Sequence, residues 1–134
     1  KNVLILKYYS FENYFLNPQV MTRLGIVKSP EAFYETLYEK WREYLHRIRS
    51  GQKLLAVMGR DFAGPDDMKD HMEEIRIHLR GHNLYDIFYG PYKEREKELL
   101  REYIRLAPRE DFEDILSAID RFAYFDSRRM KEEM

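Results

Sequence analysis

Asp67, His71, Glu74 and His78 are spaced four, three and four residues apart, and on one helix that spacing gathers two carboxylates and two imidazoles on a single face. Oxygen and imidazole donors so arrayed can ligate zinc or manganese. The plainer role is that of a solvated flank, because the four residues lie one step beyond the apolar seam Met68, Met72, Ile75 and Leu79. Glu12 is a second candidate. It follows the run Val3-Leu4-Ile5-Leu6 and falls just after Ser10, so a strand would deliver a carboxylate to a helix start, where the helix dipole favours it. The carboxyl end of a strand is also where open α/β sheets hold their ligands. Its plainer role is to stabilise the helix start while Tyr14, Phe15 and Leu16 pack. Lys53, in Gly51-Gln52-Lys53, is a third: a lysine there can neutralise charge developing on a phosphate. The frame is not a phosphate loop, which needs a longer glycine pattern ending in Lys-Ser/Thr, and an exposed lysine after a helix-ending glycine is the ordinary reading.

The tyrosines Tyr34, Tyr38, Tyr44, Tyr85, Tyr89, Tyr92 and Tyr103 are interleaved with arginine and could stack on bases or form an interface. Most recur at helical spacing, which favours core and core-rim positions. The basic pairs Arg47/Arg49 and Arg128/Arg129 are too small to predict nucleic-acid binding alone.

The elements that must position these groups are mostly helices. Ser10 is a good N-cap for a short helix over 11–16, and Asn17-Pro18 opens a second that Gly25 ends. Ser29-Pro30 predicts the longest helix, running to about Arg49 before Ser50-Gly51, with Phe33, Leu37, Trp41, Tyr44, Leu45 and Ile48 on one face. Lys53 to Met58 reads as a further helix. Gly64-Pro65 opens one through Leu79, ended by Gly81, and Asn83 to Tyr89 is a short aromatic segment. Gly90-Pro91 starts a charged helix whose Leu99, Leu100, Tyr103 and Ile104 face inward, closed by Pro108. The last helix uses Phe112, Ile115, Leu116, Ile119, Phe122 and Ala123.

The expected fold is mainly α, a multi-helix bundle with one short N-terminal β-strand. A single domain spans 1–134, with a strand over 1–9, helices over 10–126 and a frayed tail over 127–134. A length of 134 residues, 44% hydrophobic and 35% charged, supports one folded core and leaves little room for two. The net charge of −1 gives no global field for nucleic acid, so any such role must be local. Zero cysteines exclude disulfides and thiolate metal sites and suit a cytoplasmic compartment. No apolar run approaches the roughly 20 residues of a membrane span. A lone strand needs partners for its backbone groups, so the chain is expected to be a piece of a longer protein whose sheet precedes it. The alternatives are pairing with a copy of itself or a hydrophobic extension of the first helix.

Phe11-Glu12-Asn13-Tyr14-Phe15 followed by Asn17-Pro18, after a hydrophobic strand, resembles the segment that follows the aspartate motif in Toprim domains of bacterial OLD-type (overcoming lysogenization defect), ATPase-associated proteins. The resemblance covers about the first quarter of the chain; Gly51-Gln52-Lys53 is similar to a Gly-x-Lys turn found further along in some of them. It implies a parent with an acidic site that binds magnesium or manganese and cleaves nucleic acid, beside an ATPase. Glu12 is the one ligand that the resemblance assigns to this sequence, with Lys53 as a possible catalytic cation. The glutamate and Asp-x-Asp pair of such a site have no counterpart here, so the chain itself is expected to be a non-catalytic accessory module with no cofactor of its own. It would complete the parent's site through an upstream domain, or bind DNA or partner subunits. The competing expectation is a helical interaction or homodimerisation module unrelated to nucleases, docking through its strand and aromatic faces.

Overall fold

The computed structural model describes residues 8–113. The expected strand over 1–9 lies outside them apart from Tyr8 and Tyr9, which sit in a bend; the helical positions from Ile115 onward, with Arg128, Arg129 and the tail, lie outside as well. No strand occurs among the described residues, which are mainly helical, as expected.

Residues 8–107 form one unit. A 3-10 turn over Phe11–Phe15 takes the place of the expected first helix, and Ser10 does not cap it by its side chain. Asn17 caps helix α1 (Pro18–Arg23), its side-chain oxygen accepting from the N–H groups of Gln19 at 3.0 Å and Val20 at 3.5 Å, with proline at the first helical position. The expected stop at Gly25 holds. Gly25 takes φ +77°, and the bonds Gly25 N–H to Thr22 C=O and Ile26 N–H to Met21 C=O form a Schellman motif.

Ser29 caps α2 (Pro30–Glu43) by accepting from Ala32 N–H at 3.1 Å. This helix does not run to Arg49. Tyr44 leaves helical dihedrals at φ −155°, a 3-10 turn covers Leu45–Arg47, and α3 (Arg49–Met58) starts afresh. Side chains meet the carbonyls that the break releases: Arg47 donates to Glu43 C=O and Gln52 to His46 C=O, and His46 Nδ1 lies 2.7 Å from Trp41 C=O. The break turns Leu45 fully into the core. Gly51 does not end a helix either. It sits in the first turn of α3, where a Cβ would overlap the Leu45 carbonyl, so its missing side chain lets the two segments touch.

The helix expected over 65–79 is two helices, α4 (Pro65–Asp70) and α5 (Met72–His78), broken at His71 with φ −120° and ψ 26°. The seam survives the break: Met68, Met72, Ile75 and Leu79 are all buried. Gly81 opens α6 (Gly81–Tyr89) instead of closing a helix, and the aromatic segment from Asn83 belongs to α6. A Cβ on Gly81 would overlap the Ser10 hydroxyl and the Asn13 carboxamide, which explains the glycine. A 3-10 segment over Gly90–Arg95 leads to α7 (Glu96–Leu106), where Leu99 and Tyr103 are buried but Ile104, expected inside, is 48% exposed.

The core is aromatic. Phe33 of α2 stacks on Phe88 of α6 with centroids 4.6 Å apart, and Phe15 meets Tyr103 edge-on at 5.2 Å. Such pairs add about 0.5–1.5 kcal/mol to the area they bury. Among the described residues no helix is long and apolar enough to cross a membrane. Taken separately, Pro108–Glu113 carries a 3-10 turn over Arg109–Phe112 that ends on Phe112.

Candidate functional site

The break at His71 dismantles the single face expected for Asp67, His71, Glu74 and His78. Only the first two meet, with His71 Nδ1 3.2 Å from Asp67 Oδ1. Asp67 is engaged elsewhere: its carboxylate accepts from both terminal nitrogens of Arg60, at 2.6 and 2.9 Å, and from Ala63 N–H at 2.8 Å. These donors hold its carboxyl well below the usual carboxylate range, the Arg60 hydrogen bonds first. Asp67 therefore ties the 59–64 loop to α4. No group of three or more histidine and carboxylate side chains that could hold a metal ion occurs among the described residues.

Glu12 lies on the outer side of its 3-10 turn, with His82 Nδ1 3.9 Å from Oε2. A carboxylate and an imidazole do not make a magnesium or manganese site, which needs several converging oxygen donors, and among the described residues Glu12 meets no further ligand of that kind. Its neighbours have structural tasks. Asn13 is fully buried and donates through Nδ2 to the carbonyls of Arg76 at 2.7 Å and Leu79 at 3.0 Å, satisfying acceptors at the end of α5. Tyr9 N–H donates to the same Arg76 carbonyl at 2.9 Å, and Asn17 N–H donates to the Tyr103 hydroxyl at 2.8 Å. The Arg76 guanidinium returns a bond to Leu16 C=O at 2.8 Å. The segment before α1 is thereby stitched across the end of α5.

Most tyrosines are core, as expected. Tyr34, Tyr85, Tyr89 and Tyr103 are buried, while Tyr38, Tyr44 and Tyr92 are half-buried. Burial pushes the phenols of Tyr34, Tyr85 and Tyr89 upward, so they stay neutral donors; Tyr89 donates to Phe15 C=O at 2.6 Å and Tyr85 to Glu96 at 2.7 Å.

Lys53 belongs to a different kind of site. It lines a pocket of about 570 Å³ with Arg49, Arg80, Tyr9, Asn83 and Ser50. Arg49 and Lys53 stand one turn apart on α3 and so share a face. Arg80 immediately precedes α6 and arrives because its backbone N–H donates to the buried Ser50 hydroxyl at 3.0 Å. Three cations thus converge from two elements. No carboxylate lines the pocket, and none of the three has an ion-pair partner among the described residues. The pocket lies at the start of α3, whose helix dipole favours an anion. Tyr9 is 49% exposed at its wall, and the Asn83 side-chain oxygen is buried without a hydrogen-bond partner. In the sequence Lys53 stood out but Arg80 did not, because only the long-range Ser50 bond reveals their proximity.

Fold and site together define a mainly α, multi-helix unit with a pocket lined by Arg49, Lys53 and Arg80. Comparison with protein-family models, curated proteins and solved structures gives no match for the chain.

Proposed function

We propose that the chain is a non-catalytic helical module that binds nucleic acid through the Arg49, Lys53 and Arg80 pocket. The observation that carries this reading is the convergence of three cations on one concavity that no carboxylate lines. On a chain of net charge −1, a phosphate-bearing ligand needs such a local site. Tyr9 adds an aromatic face, and base stacking on such a face contributes about 1–3 kcal/mol per base. The resemblance of the segment around Glu12 to Toprim/OLD-type proteins supports an accessory role beside a magnesium- or manganese-dependent nuclease.

Fluorescence anisotropy with a labelled single-stranded oligonucleotide tests the binding. Three phosphate contacts predict an affinity that falls with salt at a log–log slope of about −2. The Arg49→Ala/Lys53→Ala/Arg80→Ala variant is expected to bind at least about ten-fold more weakly with unchanged circular dichroism, since all three side chains are exposed. Salt-independent binding, or a triple variant that binds like the wild type, would overturn the reading. The accessory role has its own test: in a protein carrying the rest of a Toprim-type site, Glu12→Gln should abolish manganese-dependent DNA cleavage without unfolding, and retained cleavage removes Glu12 from that site.

A further inference from the structure

We infer that the pocket takes a terminal phosphate monoester at the end of a single-stranded nucleic acid, with the last base against the Tyr9 ring. The inference rests on the nucleic-acid reading and narrows it to one chemical group.

Charge is the first argument. An internal phosphodiester carries one negative charge, whereas a phosphate monoester carries about −1.5 to −2 near neutral pH and three strong acceptor oxygens. Three basic residues lining one concavity match the monoester. Shape is the second. Proteins that track a continuous strand spread positive charge along a groove, whereas the exposed residues that follow Arg80 on α6 are His82 and Asp86, so the basic lining does not continue along that helix. A pocket of about 570 Å³ falls within the roughly 300–1,000 Å³ of small-ligand sites, which suits one terminal nucleotide. The third argument is the wall itself. Tyr9 is fixed by its backbone bond to Arg76 while half of its surface stays open.

The test uses the full chain and oligonucleotide twins that differ only in a terminal phosphate or hydroxyl, at the 5′ end in one pair and the 3′ end in another. One phosphorylated twin is expected to bind at least about ten-fold more tightly than its hydroxyl partner, with that preference lost in Lys53→Gln and in Arg80→Gln. Tyr9→Ala should weaken oligonucleotide binding and leave competition by inorganic phosphate unchanged. Displacement of the tight twin by a nucleoside monophosphate would support the single-nucleotide fit. Equal, salt-dependent binding of phosphorylated and hydroxyl twins overturns this inference and leaves the nucleic-acid reading standing; no binding by any twin overturns both.

Discussion

The Ser50 hydroxyl accepts the backbone N–H of Arg80 at 3.0 Å, joining residues 30 apart in the chain. Ser50 is buried in the first turn of α3 and Arg80 immediately precedes α6, so this bond holds two walls of the basic pocket in register. Ser50→Ala should cost about 1 kcal/mol in urea denaturation, the usual net value of an intramolecular hydrogen bond. It should also weaken oligonucleotide binding, because Arg80 loses its anchor. An unchanged affinity would show that Arg80 is positioned by other contacts.

Gly51 lies one residue further into α3, where a Cβ would overlap the backbone carbonyl of Leu45. Backbone cannot rotate aside as a side chain can, so α3 must shift away from the fully buried Leu45. Gly51→Ala is therefore expected to destabilise by about 1–3 kcal/mol, despite alanine's better helix propensity. Thermal melting decides between the two effects. A raised midpoint would mean that propensity wins and the contact relaxes.

These two sites also show where the sequence was readable. Asn17-Pro18, Ser29-Pro30 and Gly25 act locally, through caps and a left-handed residue, and local chemistry is written in neighbouring letters. The seam from Met68 to Leu79 was equally plain. The breaks at Tyr44 and His71 were not, because neither has a glycine or proline beside it and the carbonyls released at the first are met by His46, Arg47 and Gln52. Gly51 and Gly81 looked like helix ends, yet each is small because another segment presses on it, the turn just before α3 on Gly51 and the distant 10–13 segment on Gly81. Lys53 was visible as a cation, but its partnership with Arg80 depends on a tertiary bond that no periodicity encodes.

Asp67 supplies a pH prediction. Its folded carboxyl is held below the ordinary 3.8, by Arg60 first, then by the Ala63 N–H and, when protonated, by His71. A depressed folded value stabilises the protein above the unfolded value, and that contribution is lost as pH falls below about 4 towards the folded value. Urea midpoints measured at neutral pH and near pH 3 should thus differ less in Asp67→Asn than in the wild type. An equal difference in both proteins would mean that Asp67 titrates alike folded and unfolded.

Trp41 is the single tryptophan and is almost wholly buried. Its indole N–H donates to Asp61 Oδ1 at 2.8 Å, the same oxygen accepts from Phe62 N–H at 2.7 Å, and the indole meets the Phe62 ring edge-on at 5.1 Å. One carboxylate oxygen thus fixes the end of α2 against the loop that precedes α4. Asp61→Ala leaves a buried indole donor without its acceptor, a loss of about 1–3 kcal/mol. Because the lost group is a hydrogen-bond acceptor and not a charge alone, Asp61→Asn, whose side-chain oxygen can still accept, should recover part of the loss. Trp41 reports the result directly, since its emission shifts to the red as water reaches the indole. Denaturation followed at that wavelength should give midpoints in the order wild type, Asp61→Asn, Asp61→Ala, and equal midpoints for the two variants would assign the effect to charge.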